Sequence, residues 1–231
     1  MHQGYGQFCP VALAAEVLAE RWTLLIVREL LNGSARFNEI RRGVPRLSPT
    51  LLKQRLETLE HSGIVTRNPD GDGVPNYRLT DAGTALAPVV YTIGEWGQRW
   101  ARDLKPPDLD PAALVWAIHR RLNTAAMPAG RTVIEVEFID ARPSDRRFWL
   151  VHCAGEVDVC LKHPGFETDV RLVTRIRTLV EVWRGLRSIK EELRAGTMKL
   201  SGTSTCCRAF PQWLMLSALA HIPRERGTWA H

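Results

Sequence analysis

Lys105–Pro111 places three prolines within seven residues, directly after a long helical pattern. Proline lacks an amide donor, fixes its own φ and restricts the residue before it, so a helix reaching Leu104 has to stop there. The run therefore divides the 231-residue chain into residues 1–104, a proline-rich linker at 105–111, and residues 112–231. Each part is long enough to bury a core without help from metals or disulfides. Hydrophobic residues at 45% and charged residues at 24% match the globular average and exclude wholesale disorder. Met1–Phe8 carries no Lys or Arg and no long apolar run, which argues against a signal peptide. Leu24–Leu31 is interrupted by Arg28 and Glu29 and falls far short of the roughly 20 residues that span a bilayer, so no membrane partner is expected. Five cysteines without regular spacing, two of them adjacent at Cys206 and Cys207, fit free thiols and a cytoplasmic location.

The first part is patterned as helices followed by a hairpin. Pro10 suits the first position of a helix, and an apolar-rich stretch continues from Val11 to Leu31, where Asn32-Gly33 supplies a stop. Arg36–Arg42 forms a short second helix that buries Phe37 and Ile40. Ser48-Pro49 is an N-cap and first-turn pair for a third helix that runs to about His61 and closes at Gly63. Leu52, Leu56 and Leu59 fall on one face of that helix. Thr50, Lys53, Gln54 and Glu57 fall on another. Strands Ile64–Asn68 and Tyr77–Thr80 flank a polar turn at Pro69–Asn76. Thr80-Asp81 then caps a long helix in which Leu86, Ile93 and Trp100 recur every seven residues, with Val89 and Trp96 between them.

Charge is informative locally rather than globally. The net charge is +6, but residues 1–104 hold 12 basic against 11 acidic side chains. Within them, Arg36–Arg67 concentrates seven basic residues against Glu39, Glu57 and Glu60. A helix that enters the major groove of DNA needs long polar side chains on its outer face. Thr50, Lys53 and Gln54 fit that need, with Ser48 at the helix start and Arg36 nearby. Arg67, Asn68 and Arg78 on the hairpin are placed for backbone or minor-groove contacts.

The motifs Cys9-Pro10-Val11, Glu20-Arg21-Trp22-Thr23-Leu24-Leu25-Ile26, Arg28–Gly33, Arg36-Phe37-Asn38-Glu39-Ile40, Ser48-Pro49, Leu52–Glu60, Gly63-Ile64-Val65 and Tyr77–Gly83 occur in order. In residues and spacing they resemble the HxlR family of winged helix–turn–helix transcription regulators over about residues 8–103. The resemblance implies a homodimer on a double-stranded DNA operator with two half-sites, with the third helix as reader. It also implies a dimer interface built from the helices before and after the winged unit, which would include Trp96 and Trp100. Cys9 matches a cysteine that serves some relatives as an electrophile or oxidant sensor. Its position at a helix N-terminus would favour the thiolate, and a small packing residue is the other reading of it.

The second part is patterned as α+β. A helix near Ala112–Asn123 precedes strands Val133–Ile139, Phe148–Cys153, Val157–Lys162 and Asp169–Arg175. Helices Thr178–Arg184 and Ser188–Arg194, strand Met198–Leu200 and a helix near Ala209–Ala220 follow. Ile134, Val136 and Phe138 alternate with Glu135 and Glu137, which implies one buried and one wet face. Trp149-Leu150-Val151, Glu156–Cys160, Thr178–Gly185 and Ser188–Gly202 resemble the sterol-carrier-protein-2-like (SCP2-like) fold over about residues 111–222. That resemblance implies an apolar tunnel, for which Trp116, His119, Phe138, Trp149, Trp183 and Trp213 are the candidate lining; plain core packing is the alternative for each.

His152-Cys153 and Cys160-x-x-His163 offer four potential metal ligands, but strand neighbours point to opposite faces, so at most three converge and no metal site is expected. No nucleophile elbow, phosphate-binding loop or His-Glu-x-x-His motif occurs, so no catalytic residues and no cofactor are expected. The expectation is an α+β chain that is not an enzyme: a dimeric DNA-binding regulator modulated by a small apolar ligand. The alternative is a hydrophobic small-molecule carrier or biosynthetic enzyme that keeps the winged unit for dimerisation alone. Such a carrier would have no use for the Arg36–Arg67 basic cluster.

Overall fold

Pro10 occupies the first position of helix α1 (Pro10–Leu18), where its missing amide leaves no hydrogen bond unmade. The computed structural model describes residues 4–69, 71 and 73–225. The first three residues, Asp70 and Asp72 of the expected turn, and residues 226–231 of the expected C-terminal domain lie outside the described residues. Two compact units are present, Met1–Trp96 and Gly97–His231.

The first unit contains α1, α2 (Thr23–Leu31), α3 (Phe37–Gly43), α4 (Pro49–His61), β1 (Val65–Pro69), β2 (Pro75–Leu79), α5 (Asp81–Thr84) and most of α6 (Ala87–Trp100). Both of the long helices expected from the sequence are broken in two. The first breaks at Trp22, whose φ of 80° is left-handed, a region large side chains enter rarely. Arg55 of α4 holds this break: its Nε donates to the Arg21 carbonyl at 3.2 Å and its Nη2 pairs with Glu20 at 2.6 Å. The second breaks before Pro88, which has no amide to continue the α5 ladder. Thr80 caps α5, its Oγ1 accepting from the Gly83 amide at 3.1 Å.

The core of this unit joins Ile26, Val27 and Leu30 of α2, Ile40 of α3, and Leu52, Leu56 and Leu59 of α4, the apolar face that the spacing required. β1 and β2 pair antiparallel, with Arg67 opposite Tyr77 and Asn68 opposite Asn76. The segment before α3 joins this hairpin. The Tyr77 amide donates to the Ala35 carbonyl at 2.8 Å, and Arg36 bridges Asn76. The N-terminus of α3 is thereby tied to the wing.

The second unit contains α7 (Pro111–His119), β3 (Thr132–Phe138), β4 (Arg147–Cys153), β5 (Glu156–Cys160), β6 (Val170–Thr174), α8 (Ile176–Trp183), α9 (Ile189–Arg194), β7 (Met198–Gly202) and α10 (Ser204–Trp213). The prolines before it do not leave a loose tether: Pro106–Asp108 forms a 3-10 turn, and the Asp108 carboxylate accepts from the Lys105 amide at 2.7 Å. The strands form one sheet in the order β5-β4-β3-β6-β7, with β3 antiparallel to β4 and parallel to β6. Ile134, Val136, Phe138, Leu150 and Leu172 share a core with Leu179 and Val182 of α8 and Phe210 and Trp213 of α10.

Two expectations need correction here. Glu135 and Glu137 are not wet: every residue of β3 is buried. Arg147 of β4 and Arg171 of β6 lie across the two carboxylates, with Arg147–Glu135 at 3.6 Å, Arg147–Glu137 at 3.7 Å, Arg171–Glu135 at 3.5 Å and a closer Arg171–Glu137 pair. The Arg171 hydrogen bond holds the Glu137 carboxyl below its ordinary pKa despite the opposing effect of burial. A central strand has neighbours on both sides, and their long cations roof its acids. The last helix also ends at Trp213 rather than near Ala220. Leu214 leaves it to bridge Leu122, and the Asn123 amide takes the Trp213 carbonyl at 2.8 Å.

Candidate nucleic-acid interface

Helix α4 begins with Ser48 as its N-cap, the hydroxyl accepting from the Leu51 amide at 3.3 Å. Ser48 is thus engaged in holding the helix start, and Pro49 follows at the first helical position. Thr50, Lys53 and Gln54 are exposed along α4, while Leu52 and Leu56 anchor the opposite side. A groove of about 460 Å³ opens between α4, the start of α3 and the hairpin. Its walls carry Arg36, Thr50, Lys53 and Arg67, four of the eight residues the sequence singles out for DNA contact.

The hairpin register explains why only one of the wing candidates joins them. Side chains alternate along a strand, so Arg67 shares its face with Tyr77, and both line the groove. Asn68 and Arg78 belong to the opposite face of the hairpin, where both are exposed. They are not part of the groove. Gln54 lies outside the groove lining as well, on the solvent side of α4.

Charge is graded along this surface. Lys53 makes only a loose 3.8 Å pair with Glu57, and both side chains are well exposed. Pairs of this kind contribute little, so Lys53 is held weakly enough to exchange its partner for a phosphate or a base edge. Glu57 and Glu60 line the later turns of α4 and would repel a phosphate backbone. The favourable end is therefore the first two turns of α4, the part of a reading helix that approaches base edges in such motifs. Asn38 of α3 is exposed and lines the same groove. The sequence reading missed it, although its place two residues after Arg36 at a helix start was the available signal.

Cys9 sits at the N-cap of α1, half-buried, with no side-chain capping bond from its sulfur. Among the described residues, no group of three or more His, Cys, Asp or Glu side chains is placed to hold a metal ion. His152 is buried on the core side of β4, and its neighbour Cys153 is exposed. No helix is long and apolar enough to cross a membrane among the described residues.

The six candidate cavity residues of the second unit do not converge. Phe138, Trp183 and Trp213 belong to the packed core, with the Trp213 Nε1 donating to the Ala126 carbonyl at 3.0 Å. Trp149 lies on the far face of the sheet, opposite Glu135 in register, with its ring 5.5 Å from that of His163. Trp116 and His119 lie against one another along α7, their ring centroids 4.2 Å apart and the planes tilted by 36°. Strand alternation alone puts Trp149 and Phe138 on opposite sides of the sheet.

Comparison with known proteins concerns the winged unit. Residues 17–105 match the model of the HxlR-like helix-turn-helix family. YvaP of Bacillus subtilis (strain 168), described as an uncharacterized HTH-type transcriptional regulator, is 43% identical over 97 residues, which are 41% of this chain and 90% of that protein. YodB of the same organism, also an HTH-type transcriptional regulator, is 36% identical over 95 residues, 40% of this chain and 85% of that protein. Among solved structures, the reduced form of YodB is 36% identical, covers 40% of this chain and 93% of its own, and has a TM-score of 0.36. The redox regulator HypR in its reduced form is 33% identical, covers 39% of this chain and 91% of its own, and has a TM-score of 0.37.

Proposed function

The chain belongs to the HxlR-like helix-turn-helix family of DNA-binding transcription regulators, and on that premise we propose that it acts as a homodimer on an operator with two half-sites, with α4 as the reading helix. The observation that carries this reading is the groove in which Arg36, Thr50, Lys53 and Arg67 face one another across α4 and the wing. Arg36 and Arg67 supply phosphate contacts that set position. Thr50, Lys53 and Gln54 supply the polar reach that reads base edges. The second unit is read as an effector domain with an SCP2-like architecture, in which Phe138, Trp183 and Trp213 contribute packing.

The test starts with retention on heparin and a gel shift of upstream DNA across a salt series, since phosphate contacts make affinity fall steeply with salt. Lys53→Ala and Gln54→Ala should each weaken specific binding by about 1–3 kcal/mol without lowering thermal stability. If both variants hold the operator as tightly as the parent, α4 is not the reader.

Cys9 is the proposed sensor thiol. Its sulfur is half-buried at the N-terminus of α1 and makes no capping bond, so the thiol is not tied up in holding the helix and an adduct on it would have to be accommodated beside the first turn. Diamide or a quinone should change operator binding by the parent chain and leave Cys9→Ser unaffected. An identical response in Cys9→Ser removes the thiol from any sensing role.

A further inference from the structure

The second unit contains a cavity of about 480 Å³ whose walls carry four arginines, Arg177, Arg184, Arg187 and Arg224, against two carboxylates, Asp103 and Glu181. Its volume falls within the range of small-molecule sites. The acids are already engaged at the edges. Glu181 pairs with Arg187 at 2.5 Å and with Arg177 at 3.6 Å, and Asp103 pairs with Arg224 at 2.8 Å. Arg184 is held differently. Its Nε and Nη2 donate to the Oε1 of Gln98 at 3.0 and 2.7 Å, and the Gln98 Nε2 donates back to the Arg184 carbonyl at 3.1 Å. Gln98 is buried, so a neutral amide fixes this guanidinium in place without neutralising it.

Arg184 therefore has a poor electrostatic environment. Burial lowers its pKa most and the nearby Arg224 cation lowers it further, against the opposing effects of Asp103 and Glu181. A guanidinium keeps its charge in proteins, so Arg184 stays cationic beside Arg224 at the cavity wall and can face a further anion. The cleft is also built rather than incidental. Gly185 turns the chain with a φ of 74°, and a Cβ there would lie 2.4 Å from the Ala220 carbonyl oxygen. That close approach, with the Ser217 amide bonded to the Trp183 carbonyl at 2.9 Å, brings the segment bearing Arg224 against the end of α8.

We propose that this cavity binds a small multivalent oxyanion, a phosphorylated or polycarboxylate metabolite, through Arg184 and Arg224 with Arg177 and Arg187 at the rim. The proposal rests on the reading of the second unit as an effector domain and changes its ligand class from apolar to anionic. Arginine forks match carboxylate and phosphate oxygens in bidentate geometry, which suits a compact anion. Asp103 and Glu181 in the walls disfavour a continuous phosphodiester backbone, and the concave shape disfavours a duplex.

Inorganic pyrophosphate and citrate are the probes, titrated into the full chain at constant ionic strength without DNA and followed by calorimetry. At least one should bind saturably at one site per chain, weakened about tenfold or more in both Arg184→Gln and Arg177→Gln. Arg177 lies at the rim and is partly exposed, so Arg177→Gln keeps the test open if Arg184→Gln does not fold. Lys53→Ala should bind the anion like the parent, which separates failure of the reading helix from failure of the cavity. The proposal is overturned if neither anion saturates at millimolar concentration, or if the folded arginine variants bind as the parent does. It is equally overturned if Arg177→Gln weakens operator binding with no anion present, because the cavity would then serve DNA.

Discussion

Changing Ile93 and Trp96 together to Asp yields a monomer that no longer holds its operator tightly. Val89, Ile93 and Trp96 follow one another along α6 at helical spacing and are 41%, 48% and 56% exposed. Helix α1 has the same character: it has no buried residue, and Phe8, Val11 and Leu13 around its start stand in solvent. Large apolar side chains gathered on two helices of one small unit mark a surface meant to be covered. A second copy of the chain covers it in the proposed dimer, and two carboxylates placed there would be buried without partners. Losing the second reading head removes the gain from binding two half-sites at once, a fall of about 10²–10⁴ in apparent affinity. Sedimentation and a gel shift on the same sample check both consequences. A double variant that still sediments as a dimer places the interface elsewhere.

Gly83→Ala unfolds the winged unit at much lower temperature. A Cβ at Gly83 would lie 2.2 Å from the Ile64 carbonyl oxygen and 2.9 Å from the Leu79 side chain. That carbonyl already accepts from the Thr80 amide at 3.0 Å and from the Thr80 hydroxyl at 3.3 Å. Relief of the clash requires α5 and the start of β1 to separate, which breaks the bonds that join the wing to the following helix. The expected loss is about 3 kcal/mol. For a unit of this size it lowers the melting temperature by roughly 10–20 °C. Gly71→Ala in the turn of the wing is the control, since a Cβ there meets nothing within 4 Å. Melting followed by circular dichroism decides the matter. Equal midpoints for Gly83→Ala and Gly71→Ala would show that this approach carries no weight.

Short-range chemistry of the winged unit was legible in the sequence. Ser48-Pro49 marks the start of α4, Leu52, Leu56 and Leu59 mark its buried side, and Lys53 and Gln54 mark its outer side. Each of these follows from the fixed period of a helix and the hydrogen-bonding needs of its first turn. The hairpin was legible for the same reason, since two strands around a polar turn are a local pattern. The ordered motifs made the family recognisable before any coordinate. The apolar spacing of α6 also pointed to a surface needing a partner.

Tertiary structure decided what depends on residues far apart in the chain. Arg55 counts as one more cation in a basic cluster until its bonds to Glu20 and Arg21 show that it holds the break between α1 and α2. Glu135 and Glu137 read as a wet strand face until the sheet order puts Arg147 and Arg171 on either side of them. Trp149 and Phe138 are brought together as tunnel candidates only by the SCP2-like resemblance, with plain core as the other reading, and the register sends them to opposite faces. The arginine cavity draws Asp103, Arg184 and Arg224 from three separate segments, and no local pattern connects them. A helix or turn is specified by interactions within a few residues, so the sequence determines it alone. Which charge meets which, and which side of a sheet is covered, depends on contacts across tens of residues, and folding alone brings those together.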